Sequence, residues 1–128
     1  MKEKDLQCLF RNWLKANWKS SAAFELKICK EKTFALKRVA PHQISNLNMA
    51  HYGLFTYKLP DLGLQNPFDC FTLWRVETYV VLFFYKPKQP KIFYLIPVVT
   101  IQGLIDDGIK SIDEEEAKKL SFLKDQLI

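Results

Sequence analysis

No stretch of this 128-residue chain is apolar for long enough to cross a membrane as a helix. Its longest apolar runs, YVVLFFY and IFYLIPVV, fall far short of the roughly 20 residues that a span needs. The amino terminus, MKEKDLQ, is charged and does not read as a secretory signal. Together these absences predict a soluble, unsecreted protein without a membrane partner, cytoplasmic in location. Cysteine is also scarce: Cys8, Cys29 and Cys70 cannot all pair and show no CxxC spacing, which predicts reduced structural thiols and no zinc site. There is no internal repeat and no low-complexity segment. With 48% hydrophobic residues, the chain has enough apolar content for one buried core, so residues 1–128 read as a single domain.

What the chain has in excess is positive charge, unevenly spread. Residues 1–38 hold ten Lys or Arg against four Asp or Glu, residues 39–102 five against three, and residues 103–128 four against seven. The basic part is the front. Such a surface attracts polyanions through counterion release and electrostatic steering, which makes nucleic acid the first partner to consider. The plainer account is that lysine keeps a small domain soluble.

Residues 3–18 carry Leu6, Leu9, Phe10, Trp13 and Leu14 at spacings of three and four, which predicts an amphipathic helix with Lys4, Arg11 and Lys15 outside. SSAAFELKIC reads as a strand, KEKTFALKRVA as a polar, basic connection, and PHQISNLNMAHY as a short helix opened by Pro41 and ended by Gly53. GLFTYKLP and FDCFTLW predict two strands joined by a turn-rich loop. TYVVLFFY and KIFYLIPVV flank KPKQP, whose prolines cannot take part in a ladder, and predict a second pair, apolar on both faces and so covered by helices. Ser111 and Glu114 suggest a capping box for a closing helix with acids first and Lys118, Lys119 and Lys124 later. The fold class is therefore α/β or α+β, with helices packed on a mixed sheet.

Within AAFELKICKEKT, alternation puts Phe24, Leu26 and Ile28 on one face and Glu25 and Lys27 on the other. Two residues apart on a strand, Glu25 and Lys27 stand side by side, with Cα atoms about 6 to 7 Å apart. A carboxylate there can hold a hard cation such as Mg²⁺, and the ammonium can orient a water or offset charge building on a phosphate. Such pairs are also common on solvated strand faces. The pair follows a basic helix, and Gln43 opens the next helix where it can offer hydrogen bonds to the same sheet end. Asp69 lies in the otherwise apolar NPFDCF, where burying an unpaired charge would be costly, so a partner is expected for it.

FELK, a basic connection and then PHQISNL together resemble the PD-(D/E)XK nuclease superfamily, and especially the RecU-type Holliday junction resolvases. TYVVLFFYKPKQPKIFYLIPVVTI is similar to the strand and hairpin that follow in those nucleases. The resemblance covers roughly residues 22–50 and 77–101, and it rests on the order and spacing of short motifs. It implies a restriction-endonuclease-like mixed sheet flanked by helices. It departs at one point: the usual Asp lies on a hairpin just before the E-x-K strand, and here no carboxylate stands between Asp5 and Glu25. An extra strand pair follows the H-Q helix instead and carries Asp61 and Asp69, which implies an inserted or permuted hairpin. Asp69 is the preferred metal ligand, because Asp61 opens a loop where a turn role suffices.

Carried over residue by residue, the resemblance implies that Asp69, Glu25 and the backbone carbonyl of Leu26 bind Mg²⁺, with Mn²⁺ as a substitute. Lys27 positions the attacking water, and Gln43 supports the site from its helix. Glu3 or Asp5 of the first helix is a further candidate. Lys30, Lys32, Lys37 and Arg38 are candidates for phosphate contacts. The implied activity is Mg²⁺-dependent endonucleolytic cleavage of DNA, branched DNA first, by a homodimer that cuts two strands symmetrically in recombination or repair. A small nuclease of this kind would suit a phage or mobile element.

Two rivals stand beside this reading. One is a non-catalytic nucleic-acid-binding module in which Glu25 and Lys27 form an ordinary ion pair. The other is a partner-binding domain that docks through its acidic last helix. His42 and His51 read as surface or helix-end residues, and Cys29, on the Glu25 face, has no local partner that would make it a nucleophile. Trp13 fits the apolar stripe of its helix, whereas Trp18 and Trp74 are open to core or base-stacking roles.

Overall fold

An eight-residue strand whose alternate side chains differ in polarity needs cover on one face and can keep groups near water on the other. The segment Ala22–Cys29 is such a strand, β1. The structure, a computed structural model, describes residues 1–60 and 67–127. Before β1 comes helix α1 (Glu3–Asn17), whose first turn is closed by the Asp5 carboxylate accepting from the Lys2 backbone N–H at 2.9 Å. After β1 come β2 (Thr33–Ala35), a single 3₁₀ turn (Leu36–Arg38) and helix α2 (Pro41–Tyr52). The hairpin strands β3 (Leu54–Lys58) and β4 (Cys70–Trp74) follow, then β5 (Glu77–Phe84) and β6 (Lys91–Pro97). The chain closes with α3 (Val98–Asp106), β7 (Ser111–Asp113), α4 (Glu114–Leu120) and β8 (Leu123–Leu127).

The main sheet runs β1, β5, β6, β8. β1 pairs parallel to β5, with Glu25 opposite Val80 and Lys27 opposite Leu82, while the β5–β6 and β6–β8 pairs are antiparallel. It is a mixed sheet flanked by helices, as the sequence predicts. β5 and β6 are its central strands and are buried on both faces. That is why they read as continuous apolar runs.

The two faces are covered unequally. On one, α1 alone packs Leu6 and Phe10 against Ile28, Tyr79, Val81, Phe83, Phe93 and Leu95. On the other, α2, α3, α4 and the short β2–β7 ladder enclose Val80, Leu82, Ile96 and Ile101. The connection KEKTFALKRVA is more than a basic loop: Phe34, Leu36 and Val39 are core residues, while its charged residues and Thr33 face water. β3 and β4 form a separate two-stranded ladder inserted between α2 and β5. Its base is tied to the end of α2 by Arg75 N–H donating to Gly53 C=O and Val76 N–H to Ala50 C=O, both at 3.0 Å.

The carboxyl-terminal third departs from expectation. The strand β6 stops at Pro97 and VVTIQGLID turns helical, with Val98 and Ile101 buried. Four of its first residues are β-branched or bulky, so burial at helical spacing overrides local propensity here. The last helix is capped by Asp113 and not by Ser111: its carboxylate accepts from Glu116 N–H at 2.8 Å, and the Glu116 carboxylate faces the Asp113 N–H in return. That helix ends at Leu120, so Lys124 stands on a strand, β8, that completes the sheet beside β6.

Candidate functional site

Which way β1 points its groups follows from one hydrogen bond. The Tyr85 N–H donates to the Cys29 C=O at 2.8 Å, so the backbone of Cys29 faces β5. In a ladder that alternates by residue, Lys27 and Glu25 then face β5 as well. Phe24, Leu26 and Ile28 turn their amides to the open edge of the sheet. The Ile28 carbonyl there accepts from Arg38 Nη2 at 2.8 Å, whereas no partner for the Leu26 carbonyl is found among the described residues.

The side chains separate as the alternation predicts. Phe24, Leu26 and Ile28 pack with α1, while Ala23 and Cys29 pack toward α2, so Glu25 and Lys27 lie on the α2 face. There they meet Gln43. Its Oε1 accepts from the Ala40 N–H at 2.9 Å, and its Nε2 donates to Glu25 Oε1 at 2.8 Å. The capping bond fixes which end of the amide points back to the helix, so the donor end is left for the carboxylate. Lys27 Nζ lies 3.4 Å from the same Oε1, longer than a well-formed charge-assisted bond.

Lys27 is the more buried charge of this trio. Its side chain is 13% exposed, and Glu25 is the one partner of its ammonium among the described residues. A lysine held this far into a fold is usually paired, and here the pair is the Glu25 carboxylate. Glu25 Oε2 is without a partner there. On the same face, opposite Ala23, the buried Thr78 hydroxyl has no hydrogen-bond partner among the described residues. Sequence analysis passed over Thr78, although it is the only hydroxyl on the α2 face of β5.

The other predicted residues lie elsewhere. Asp69 is exposed and precedes β4, so it is not a buried strand residue, and the burial argument for giving it a partner does not hold. Its backbone carbonyl accepts from Leu59 N–H at 2.8 Å, at the end of the hairpin away from α2. Asp61 lies outside the described residues. Glu3 and Asp5 stand on α1, which covers the opposite face of the sheet, and the Asp5 carboxylate serves as a cap. Lys30, Lys32 and Lys37 are exposed along the β1–β2 connection and the 3₁₀ turn. Arg38 clasps the strand edge and lies 5.1 Å from the Phe34 ring centre.

The histidines and tryptophans resolve simply. His42 is exposed, and the His51 ring sits 3.1 Å from the Val76 carbonyl oxygen. Trp13 stacks on Phe10 and donates to Asp125 Oδ2 at 2.9 Å, which holds that carboxyl below its usual range. Trp18 packs on Phe24 and Tyr79. Trp74 is 66% exposed beside Arg75.

The donor set for a cation is small. Among the described residues no group of three or more His, Cys, Asp or Glu side chains comes together. Glu25 offers one free carboxylate oxygen beside the unpartnered Leu26 carbonyl. Mg²⁺ commonly takes one or two protein carboxylates and completes its shell with water and phosphate. The chemistry of this donor set fits that minimal mode and not an all-protein cage.

No family model matches the chain, and neither does any curated protein or solved structure.

Proposed function

We propose that the protein is a metal-dependent endodeoxyribonuclease of the PD-(D/E)XK type, acting on branched or otherwise structured DNA. The observation that carries the reading is the trio on the α2 face of β1: the Lys27 side chain is 13% exposed and pairs with Glu25 at 3.4 Å, and Gln43 orients that carboxylate, on a strand bordered by an exposed basic connection.

In this reading Glu25 and the Leu26 carbonyl would hold Mg²⁺ or Mn²⁺, with water and substrate phosphate filling the other positions. Asp69, at the end of the β3–β4 hairpin away from α2, would be the second carboxylate only where DNA binding carries the hairpin to the site. When bound, the ion activates water and offsets negative charge on the scissile phosphate. The chain's own residues do the rest. Lys27 donates to the attacking water or to a phosphate oxygen, where charge grows as the P–O bond forms. Gln43 holds Glu25 in one orientation, so the carboxylate need not reorganise when DNA arrives. Lys30, Lys32 and Lys37 contact neighbouring phosphates and set register without reading sequence. Symmetric cutting of two strands calls for a homodimer.

The test is cleavage of labelled four-way junction, flap and linear duplex DNA with Mg²⁺ or Mn²⁺, by wild type, Lys27→Ala and Asp69→Asn. Metal-dependent cutting lost in both variants supports the full site. Cutting that survives Asp69→Asn and fails in Lys27→Ala moves the second carboxylate to Asp61. A second reading, a non-catalytic nucleic-acid-binding module, is favoured by the single carboxylate that the described residues gather, and DNA binding without cutting in either metal would establish it.

A further inference from the structure

Helix α2 presents two faces, and only one is used by the sheet. Leu47 and Ala50 are buried and Gln43 reaches Glu25. The other side carries Pro41, Ile44, Ser45, Asn48, Met49 and Tyr52 at spacings of three and four, and these form one wall of a groove of about 1290 Å³. Ile105 of α3 and Ile109 beyond it stand on the opposite wall. Met49 is 50% and Tyr52 65% exposed. Apolar side chains left open along a whole helix face mark an interaction surface.

The charge around the groove is one-sided. Lys37 and Lys110 line it, and among the described residues no Asp or Glu does. The two lysines lie at the same end, because Leu36 N–H donates to the Lys110 C=O at 3.0 Å, and this is also the amino-terminal end of α2. Asp106 stands outside the lining, accepting from Gln102 Nε2 at 2.8 Å. At 1.5 Å per residue the α2 wall is about 16 to 18 Å long, the length of roughly three turns of a second helix. The volume exceeds the ~300 to 1,000 Å³ typical of small-molecule sites.

We propose that this groove docks an amphipathic helix of a partner protein, about three turns long, with its apolar stripe against α2 and an acidic first turn at Lys37 and Lys110. Recognition of this kind uses apolar anchors at helical spacing for affinity and end charges for orientation. The surface lies apart from Glu25 and Lys27 and does not depend on the nuclease reading, although Lys37 is shared with the residues proposed there to contact phosphates.

The test is a fluorescence-polarisation titration of a labelled synthetic helical peptide with leucines along one face and glutamates in its first turn. The same peptide with lysines replacing those glutamates serves as its control. The glutamate peptide should bind, and the lysine peptide should bind at least about tenfold more weakly. Met49→Glu, at a half-exposed position, should abolish binding while leaving circular dichroism and the melting temperature unchanged. Lys37→Glu with Lys110→Glu should reverse the order of the two peptides. The proposal is overturned if the glutamate peptide does not bind, if the two peptides bind equally, or if either variant leaves binding unchanged. Binding of dodecanoate without binding of peptide would also overturn it, in favour of a small apolar acid.

Discussion

The two faces of β1 are built from the same eight residues and do opposite things. Phe24, Leu26 and Ile28 join an aromatic and aliphatic layer under α1 in which Phe10 meets Phe24 edge-on at 5.2 Å and Phe93 at 5.4 Å. Glu25 and Lys27, one residue out of phase, face α2 and meet Gln43 there. The first face has the pattern of packing that stabilises a fold. The second holds a carboxylate, an ammonium and an amide in contact with one another, and each face also keeps one buried polar atom without a partner among the described residues, Trp18 Nε1 on the first and Thr78 Oγ1 on the second. Where a chain sets a charged cluster beside a well-packed apolar layer, the polar side is the candidate for function.

The difference can be broken from either side. Lys27→Met should reduce metal-dependent cleavage by about 10³-fold, the scale expected when a group acting on transition-state charge is removed, with little change in the melting temperature. Phe10→Ala, in the packed layer, should destabilise the protein by about 3 to 5 kcal/mol in urea unfolding and leave cleavage per folded molecule unchanged. Gln43→Ala removes both the cap on Ala40 and the bond to Glu25, and should cost about 1 kcal/mol of stability together with a smaller loss of rate. Gln43→Glu keeps an acceptor for Ala40 and sets a like charge against Glu25, so it should recover the stability in part and the rate not at all.

The smallest effect belongs to pH. Burial first, and then the neighbouring Glu77 carboxylate, push the Tyr79 phenol from its ordinary 10.0 to about 12. The unfolded chain therefore loses this proton before the folded one does. The contribution is fully present below pH 10 and is lost as pH rises through about 12. Unfolding midpoints should fall over that interval, and less steeply in Tyr79→Phe. Tyr94 is shifted the same way by burial and by Glu114, to which its hydroxyl donates at 2.8 Å, so the Tyr79→Phe variant should keep part of the slope.

Much of this architecture is legible in the sequence because periodicity and burial agree. The alternation of Phe24 to Ile28 gives the strand and its two faces, the spacing from Leu6 to Leu14 gives α1, and Pro41 with Gly53 brackets α2. The pairing of Gln43 with Glu25 was foreseeable from an H-Q helix opening beside the strand. The failures are equally physical. Val98 and Val99 have strand propensity but begin a helix, so the strand read as KIFYLIPVV runs two residues too far into α3. LKDQL, with one weak alternation, takes the form of β8 only because β6 offers an edge. Asp69 was assigned to a buried strand on the apolar residues around it, yet β3 and β4 form a separate ladder whose aromatic residues Tyr57 and Phe71 remain open to water.

The central claim is that the α2 face of β1 serves function and the α1 face serves folding, and one double variant tests it most directly. Glu25→Gln with Lys27→Met removes both charges, keeps similar volumes and leaves no unpaired ion behind, so stability should remain within about 1 kcal/mol of wild type or rise. Measured side by side, unfolding free energy should be preserved and Mg²⁺-dependent cleavage lost. A variant that still cuts at the wild-type rate, or one whose loss of cutting is matched by loss of folded protein, would contradict the account.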